Sequence, residues 1–581
     1  MRSKDDFVKD EGLNIWTFPG EREVFAYQDG SEKLLYQKMV AYKDRSTYSE
    51  EFYPYKNWPE EYHLSPVRTN VLRPLQNEMK PGTKVLELGC GCGAITRFLG
   101  ELGCDVTAIE GSKARSQIAG VRCHDLPNVN IYCSDIQEID FSREAFDVIT
   151  MIGVFEYAAL YWKEEQPFHA FLRFVDRHCH DRTLFLLAIE NQLGLKYFNG
   201  LSEDHTGMRF FGINNLYQSG RKTAQTFTKA ELARMLQEAT RLQNLEFFYP
   251  FPDYKLPRVI LTDEAFSNPD LRFQQILSGA KSRQYAPYAH SLFHEPSVLE
   301  LLGEEGVAAS FANSFIVLAS QTARSESEWL AKIISNKRFL SYCTEITIQL
   351  DRGSLRVFKS PISKVEMPVS TDLFSFHPKE EQPFITGELL SYRWERILLR
   401  SRHVTWKALS EELAKWLAFL KENTNAEGRL PGDWYDAIPD NIIWDGENFQ
   451  LIDREWQLKD EIPLEVVVIR GIILFFYHWE KSKWITQVPH SSLKSLIYEI
   501  AASARISMDR ARMKRAWKLE AEFQSKARPG VTVAAHYKTM REMTLKFLLP
   551  QRIYFRFLQI SDKLVPWLSN RLKRLVQKRK Y

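Results

Sequence analysis

Val85-Leu-Glu-Leu-Gly-Cys-Gly-Cys-Gly-Ala94 sets the fold class of this chain. An aliphatic run of buried-strand type passes into a loop with glycine at every second position, and a helical stretch starts near Ala94. Gly89, Gly91 and Gly93 allow the backbone to turn tightly and to approach a ligand that a β-carbon would push away. The helix that follows presents its N-terminal amides to the ligand's polar end. Outward from this point, short apolar runs alternate with helical stretches. The strand candidates are Lys84–Leu88, Asp105–Ile109, Asn130–Cys133, Phe146–Met151, Thr183–Ile189 and Ser314–Ser320. That alternation predicts an α/β domain with a parallel sheet.

Three carboxylates punctuate the strands. Glu87 lies in the first, Glu110 closes the second where an acid would grip both ribose hydroxyls, and Asp135 follows the third where a carboxylate accepts from an adenine amino group. The Glu87–Glu110 spacing alone suits a nicotinamide dinucleotide equally well. With the fourth strand, Phe146-Asp-Val-Ile-Thr-Met-Ile-Gly-Val-Phe-Glu-Tyr157, the ordered series resembles the class I S-adenosylmethionine-dependent methyltransferases, which have a Rossmann-like fold. The resemblance implies that Glu87, Gly89, Gly91 and Gly93 line the methionine side, that Glu110 holds the ribose, and that Asp135 with Ile136 holds the adenine. S-adenosylmethionine is the implied cofactor. Another cofactor on a Rossmann-like domain is the alternative. Cys90 and Cys92 lack a second thiolate or histidine pair at metal-site spacing and read as small residues filling the loop.

Farther along stand Ala188-Ile-Glu-Asn-Gln-Leu-Gly-Leu-Lys-Tyr-Phe-Asn-Gly200, Glu203-Asp-His-Thr-Gly207 and Phe251-Pro-Asp-Tyr-Lys-Leu-Pro257. They look like the acceptor loops of a bacterial methyltransferase subgroup found among surface-polysaccharide and O-antigen assembly proteins, a resemblance spanning Tyr62 to Ser320. Polar, aromatic loops of this kind suit a carbohydrate. His205 is the candidate general base, with Asp204 or Glu203 to orient it. Glu190 and Asn191 are read as structural, holding the loop after the fifth strand.

A second ordered set follows. Thr344–Leu350 and Ser354–Phe358 alternate as a hairpin ending at Lys359, and Leu409–Leu420 has helical spacing. Then come Asp436-Ala-Ile-Pro-Asp-Asn441 and, after a strand, Asp453. This resembles the protein-kinase-like fold in its aminoglycoside- and lipopolysaccharide-kinase branch. The resemblance implies Asp436 as catalytic base, Asn441 and Asp453 as Mg²⁺ ligands, and Lys359 as the phosphate-pairing lysine, with ATP and Mg²⁺ as conditional cofactors. The departures are specific: no glycine-rich loop precedes Lys359, Trp434 and Tyr435 stand where His and Arg are expected, and Arg454 follows Asp453 in place of Phe-Gly. An inactive kinase-like domain and an unrelated helical domain both stay open.

Composition sets the outer limits. At 581 residues, 44% hydrophobic and 26% charged, the chain is globular and too long for one core. A net charge of +3 and the absence of a basic stripe exclude nucleic acid as the expected partner. Seven scattered cysteines point to a reducing cytoplasm. No apolar run follows Met1, so no secretory signal is expected. The longest apolar stretch, Val466–Trp479, is broken by Arg470 and is shorter than the ~20 residues of a bilayer span. From Gln551 to Tyr581, nine Lys/Arg against one Asp surround Trp567, Leu568, Leu572 and Leu575, the composition of an interfacial helix on anionic lipid or of a partner-binding helix.

The expected division is 1–74 as an N-terminal extension packing on the methyltransferase, 75–320 as the methyltransferase, 321–336 as a linker, 337–535 as the kinase-like domain and 536–581 as a basic helical tail. The expected protein is cytoplasmic and peripheral on the membrane's inner face. It methylates a sugar hydroxyl or terminal phosphate of a glycan or lipid-linked sugar, with the second domain phosphorylating the glycan end. The alternatives are a membrane-associated scaffold bringing a methyltransferase to a glycosyltransferase partner, and a small-molecule O-methyltransferase.

Overall fold

The computed structural model describes residues 2–10, 12–20, 30–52, 54–141, 144–218, 223–283, 291–325, 327–363, 366–400, 402–479, 487–546, 556 and 560. The chain forms two compact units, Met1–Asn336 with Cys343–Phe358 and Lys337–Tyr342 with Lys359–Tyr581.

The first unit is built on β1 (Ile15–Thr17), β2 (Lys84–Leu88), β3 (Asp105–Glu110), β4 (Val129–Cys133), β5 (Val148–Ile152), β6 (Leu184–Glu190), β7 (Asn244–Phe251), β8 (Val259–Leu261), β9 (Ser314–Ser320), β10 (Trp329–Ile334) and β11 (Thr344–Asp351). Their order in the sheet is β1-β4-β3-β2-β5-β6-β9-β7-β8-β10-β11. The half from β1 to β6 is parallel and the half from β9 onward is antiparallel. β5 and β6 are buried along their whole length, as central strands covered on both faces must be. The helices α1 (Ala94–Glu101) and α2 (Lys113–Arg122) follow β2 and β3. Gly93 joins loop to helix at φ +72°, and a β-carbon there would fall 2.9 Å from the Ala119 Cα in α2.

Three boundaries differ from the sequence reading. Strand β7 is not among the strand candidates of the sequence, and it contains Pro250. It is tolerated because Asn244–Phe248 pair with β9 while Tyr249–Phe251 pair only with β8, so the proline meets the ladder on one side. The linker expected over 321–336 is shorter: Trp329–Ile334 forms β10 between β8 and β11. Its apolar run is hidden in the sequence by the polar residues Gln321–Glu328 before it. Thr344–Asp351, expected in the second domain, is β11 of the first unit's sheet. Glu345 is fixed there by Arg73 at 3.1 Å and by Lys332.

The second unit has two three-stranded sheets, Val369–Ser370/Phe374–Phe376/Trp456–Leu458 and Glu388–Leu389/Ile442–Trp444/Phe449–Leu451. Helices Leu390–Leu398, Arg402–Glu422, Leu464–Trp479, Leu493–Ser503, Arg510–Ala527 and Val533–Lys546 complete it. Trp394 anchors its core, edge-on to Trp416 at 5.5 Å and to Phe475 at 5.1 Å. The long apolar stretch is a core helix in which Val467, Ile472 and Phe476 are fully buried. No helix among the described residues is long and apolar enough to cross a membrane. Residues 536–546, placed in the tail by sequence, pack within this unit: Met540 is buried and Trp517 Nε1 donates to Thr544 Oγ1 at 3.1 Å. The tail expectation over Gln551–Tyr581 falls outside the described residues except Arg556 and Ile560.

Candidate active site

The glycine loop after β2 and the C-terminal ends of β3, β4 and β5 border one cleft of about 1180 Å³, open to solvent. Position follows from topology, since the C-terminal ends of parallel strands are where open α/β sheets form binding crevices. Glu87, Gly89, Gly91 and Gly93's neighbour Ala94 stand at one end, Glu110 in the middle, and Asp135 with Ile136 at the other. Gly91 has φ +56°, and a β-carbon there would meet nothing within 4 Å. The loop therefore faces open space where a ligand can lie against its backbone. Gly93 itself turns toward α2.

Glu110 organises the loop. Its two carboxylate oxygens accept from the Gly91 and Ser112 amides, each at 2.8 Å. Burial raises its pKa against these hydrogen bonds. Glu87 is 4% exposed and accepts from Thr96 Oγ1 at 2.7 Å; burial lifts its carboxyl to about 7, against the Thr96 hydrogen bond. Asp135 accepts from the Gln137 amide at 3.0 Å, and burial raises its pKa as well. A half-buried acid flanking a bare glycine loop suits a polyhydroxylated, cationic nucleoside ligand.

Beside the cleft lies a charged set drawn from three loops. Tyr157, which lines the cleft after β5, has its hydroxyl 3.3 Å from His205 Nδ1. His205 Nε2 is 3.5 Å from Glu190 Oε2 at the end of β6. Lys255 bonds to Glu190 and also reaches Asp204 Oδ1 at 3.2 Å. Burial pulls the His205 imidazole down, but the Glu190 carboxylate outweighs it and lifts it to about 9. Burial pushes Glu190 up, and Lys255 and His205 more than reverse that, so it lies well below the usual carboxylate range. Glu156 is pushed up to about 7 by burial and then by Glu190. Glu156, Glu190 and His205 offer ligand atoms within 4.8 Å of one another. Both Glu190 oxygens face basic groups, Oε1 meeting Lys255 and Oε2 His205.

The orienting residue differs from expectation. The Asp204 carboxylate accepts from Lys196 at 2.5 Å and Tyr197 at 2.6 Å, and Lys196 and Lys255 overcome burial to hold it at about 2. Glu203 caps its own loop, accepting from the His205 and Thr206 amides at 3.1 and 2.7 Å. Glu190, read from sequence as structural, is the residue that faces the imidazole. Asn191 does hold the loop, donating to the Ser310 and Ala312 carbonyls at 2.8 and 2.7 Å. Tyr157 and Lys255 went unassigned in the sequence, although both lie in stretches that it singled out.

In the second unit, Lys359 bonds to Asp453, which has φ +58°, and reaches Glu455 at 3.4 Å. Burial and Asp453 act oppositely on Lys359, and the carboxylate prevails, raising its pKa. Asn441 Nδ2 donates to the Asp436 carbonyl at 3.0 Å. Asp436 Oδ1 accepts from Arg470 at 2.6 Å, and the same guanidinium bonds Glu520 at 2.8 Å. The expected base is thus tied to an arginine.

Comparison with known proteins agrees with the first unit's geometry. Residues 85–176 match the family model described as a methyltransferase domain. Over 111 residues the chain is 27% identical to the cyclopropane-fatty-acyl-phospholipid synthase of Escherichia coli (strain K12), covering 19% of this chain and 27% of that protein. Over 112 residues it is 30% identical to the pavine N-methyltransferase of Thalictrum flavum subsp. glaucum, covering 18% and 31%. A TehB-like S-adenosylmethionine-dependent methyltransferase structure from Corynebacterium glutamicum aligns at 12% identity with a TM-score of 0.23, covering 44% of this chain and 88% of that one. The chain thus spans about a quarter to a third of the length of these two curated relatives. The first unit carries a class I S-adenosylmethionine-dependent methyltransferase domain.

Proposed function

We propose that the first unit transfers a methyl group from S-adenosylmethionine to an oxygen of a glycan or lipid-linked sugar in surface-polysaccharide or O-antigen assembly. The observation that carries an oxygen acceptor is the Tyr157–His205–Glu190 chain, which starts at the cleft wall and ends on a buried carboxylate. In the transfer the S–CH₃ bond breaks as the O–CH₃ bond forms. The hydroxyl proton passes toward His205, and S-adenosylhomocysteine leaves. Glu110 holds the ribose, Asp135 and Ile136 the adenine. The sugar class rests on the acceptor-loop resemblance over 188–207 and 251–257. A small-molecule O-methyltransferase is the second reading, favoured by the match over 95 residues to the ubiquinone biosynthesis O-methyltransferase of Coxiella burnetii. Methylation of purified lipid-linked oligosaccharides, against a panel of phenols, separates the two.

The second unit is, on this reading, kinase-like, with Lys359 and Asp453 as its phosphate and Mg²⁺ pair. Oxygen ligands from Asp453 and Asn441 suit that hard cation. Arg470 on Asp436 favours a unit that binds nucleotide without phosphorylating the glycan. Titration calorimetry with ATP–Mg²⁺ is expected to show binding that Asp453→Ala lowers by on the order of tenfold or more. Asp436→Ala is expected to leave methyl transfer unchanged. Loss of glycan phosphorylation in that variant would restore the catalytic kinase reading instead.

The basic segment Gln551–Tyr581 is proposed as a contact with anionic lipid or a glycosyltransferase. Its removal is expected to release the chain from anionic liposomes at physiological salt, and unchanged partitioning would remove the lipid contact.

A further inference from the structure

We propose that residues 203–218, the loop carrying His205, dock on an anionic lipid surface through Met208, Arg209 and Phe210. The proposal rests on the lipid-linked reading of the acceptor and names the surface through which such an acceptor is met. It is separate from the basic segment Gln551–Tyr581.

The loop is fixed from beneath. The buried Glu203 accepts from the His205 and Thr206 amides, and its own amide donates to the Met208 carbonyl at 3.0 Å. Ser202 bridges to Arg209 across the same turn. Beyond the turn, the Gly212 carbonyl accepts from Gln192 Nε2 at 2.8 Å, and the buried Phe211 meets the Tyr217 ring edge-on at 5.2 Å. Tyr217 is held in turn by its hydroxyl, 2.7 Å from Thr226 Oγ1. A loop so tied has its inward aromatics already in place, and three large apolar side chains remain outside. Met208 is 47% exposed, Phe210 39% and Leu216 38%. Single exposed apolar residues are ordinary, but Met208 and Phe210 flank one arginine in a turn exposed from Gly207 to Phe210. Phe210 also has φ +59°, a conformation that a bulky side chain rarely adopts.

Charge decides the kind of partner. From His205 to Ala230 the sequence holds four Lys/Arg and no Asp or Glu. Lys229 is paired with Asp263 at 2.8 Å, whereas among the described residues no carboxylate pairs with the exposed Arg209. Apolar side chains interleaved with cations and free of acids are what an anionic membrane interface binds. The apolar groups enter the headgroup boundary and the cations meet its phosphates. The exposed Leu301 and Val307, by contrast, stand beside the exposed Glu304 and Glu305, which such a surface repels. Position gives the contact its use. His205 lies three residues before Met208, and its ring is held by Tyr157 and Glu190 at the cleft wall. Docking at the turn therefore brings the acid–base set to headgroup level, where a lipid-linked sugar stands.

The test reads the turn itself on the full chain. All seven native cysteines are buried, so Met208→Cys takes an environment-sensitive fluorophore at one exposed thiol. Its emission is expected to shift to the blue with vesicles of phosphatidylcholine and phosphatidylglycerol. The same label at Leu301→Cys is expected to stay unchanged. Met208→Ser with Phe210→Asn is expected to weaken vesicle partitioning by on the order of tenfold, with S-adenosylhomocysteine binding unchanged. Asparagine keeps the left-handed backbone at that position. Arg209→Gln is expected to weaken partitioning about fivefold, the effect of one cation at an anionic surface. A label at Met208→Cys that stays in water, with or without binding of the chain to vesicles, overturns the proposal. A label that responds to a soluble oligosaccharide and not to vesicles also overturns it, making the turn a sugar-binding lip. Failure of the acceptor reading is a separate result: the label enters vesicles, yet lipid-linked oligosaccharides receive no methyl group. That outcome supports the docking turn and removes the acceptor.

Discussion

Glu110→Ala is expected to weaken S-adenosylhomocysteine binding by at least about 100-fold. On the proposed reading the carboxylate accepts from both ribose hydroxyls, and each hydrogen bond to a charged group contributes roughly 1.5–3 kcal/mol. Two such bonds correspond to a loss of about 10²–10⁴ in affinity. The substitution also strips the Gly91 and Ser112 amides of their acceptor, so the loop loses the group that shapes it. Glu110→Gln keeps one acceptor oxygen and should fall between. Calorimetry reads the effect directly, and tight binding retained in Glu110→Ala would end the ribose assignment.

The second large effect concerns proton removal. His205→Asn is expected to lower the rate of methyl transfer by about 10²–10⁴-fold with S-adenosylhomocysteine affinity unchanged, the usual range for a general base. With His205 at about 9, the base form is the minor one at neutral pH. The rate should therefore climb about tenfold per pH unit from 7 and level off near 9. Glu190→Gln removes the carboxylate that raises His205, so the inflection should move down toward ~6.5, the unperturbed value. An inflection that stays at 9 in Glu190→Gln would show that another group titrates. The same pair has a stability consequence of fixed sign. A folded pKa above the unfolded one stabilises fully below ~6.5, and that contribution fades as pH rises through about 9.

The parallel half of the sheet was legible because its signals are local. Val85–Ala94 carries strand, turn and helix start within ten residues, and Glu110 and Asp135 each sit one residue or two beyond a predicted strand. The antiparallel half was less so. Asn244–Phe251 was not singled out as β7, and the polar run before Trp329 hid β10, which neighbouring strands pair on both sides. The acid–base set was half legible. His205 stood out as a histidine among acids, but adjacency in sequence favoured Asp204 over Glu190. Two lysines, Lys196 and Lys255, claim Asp204 in the fold, and one of them lies 51 residues away. In the second unit the spacing of Asp436, Asn441 and Asp453 was readable, whereas the Arg470 contact across 34 residues was not.

The chain passes between its two units three times, at 336/337, 342/343 and 358/359, before the second unit runs on alone. The two halves are therefore not cassettes that a single cut can separate. A cut after Asn336 would strip β11 from β10 and leave an unpaired strand edge, an invitation to self-association. A cut after Phe358 would carry Lys337–Tyr342 away from the second unit, where Tyr342 packs between Phe374 and Trp456. Any gene rearrangement that mixed this methyltransferase with a new companion would have to rebuild that braid, so the pair is expected to be inherited as one piece.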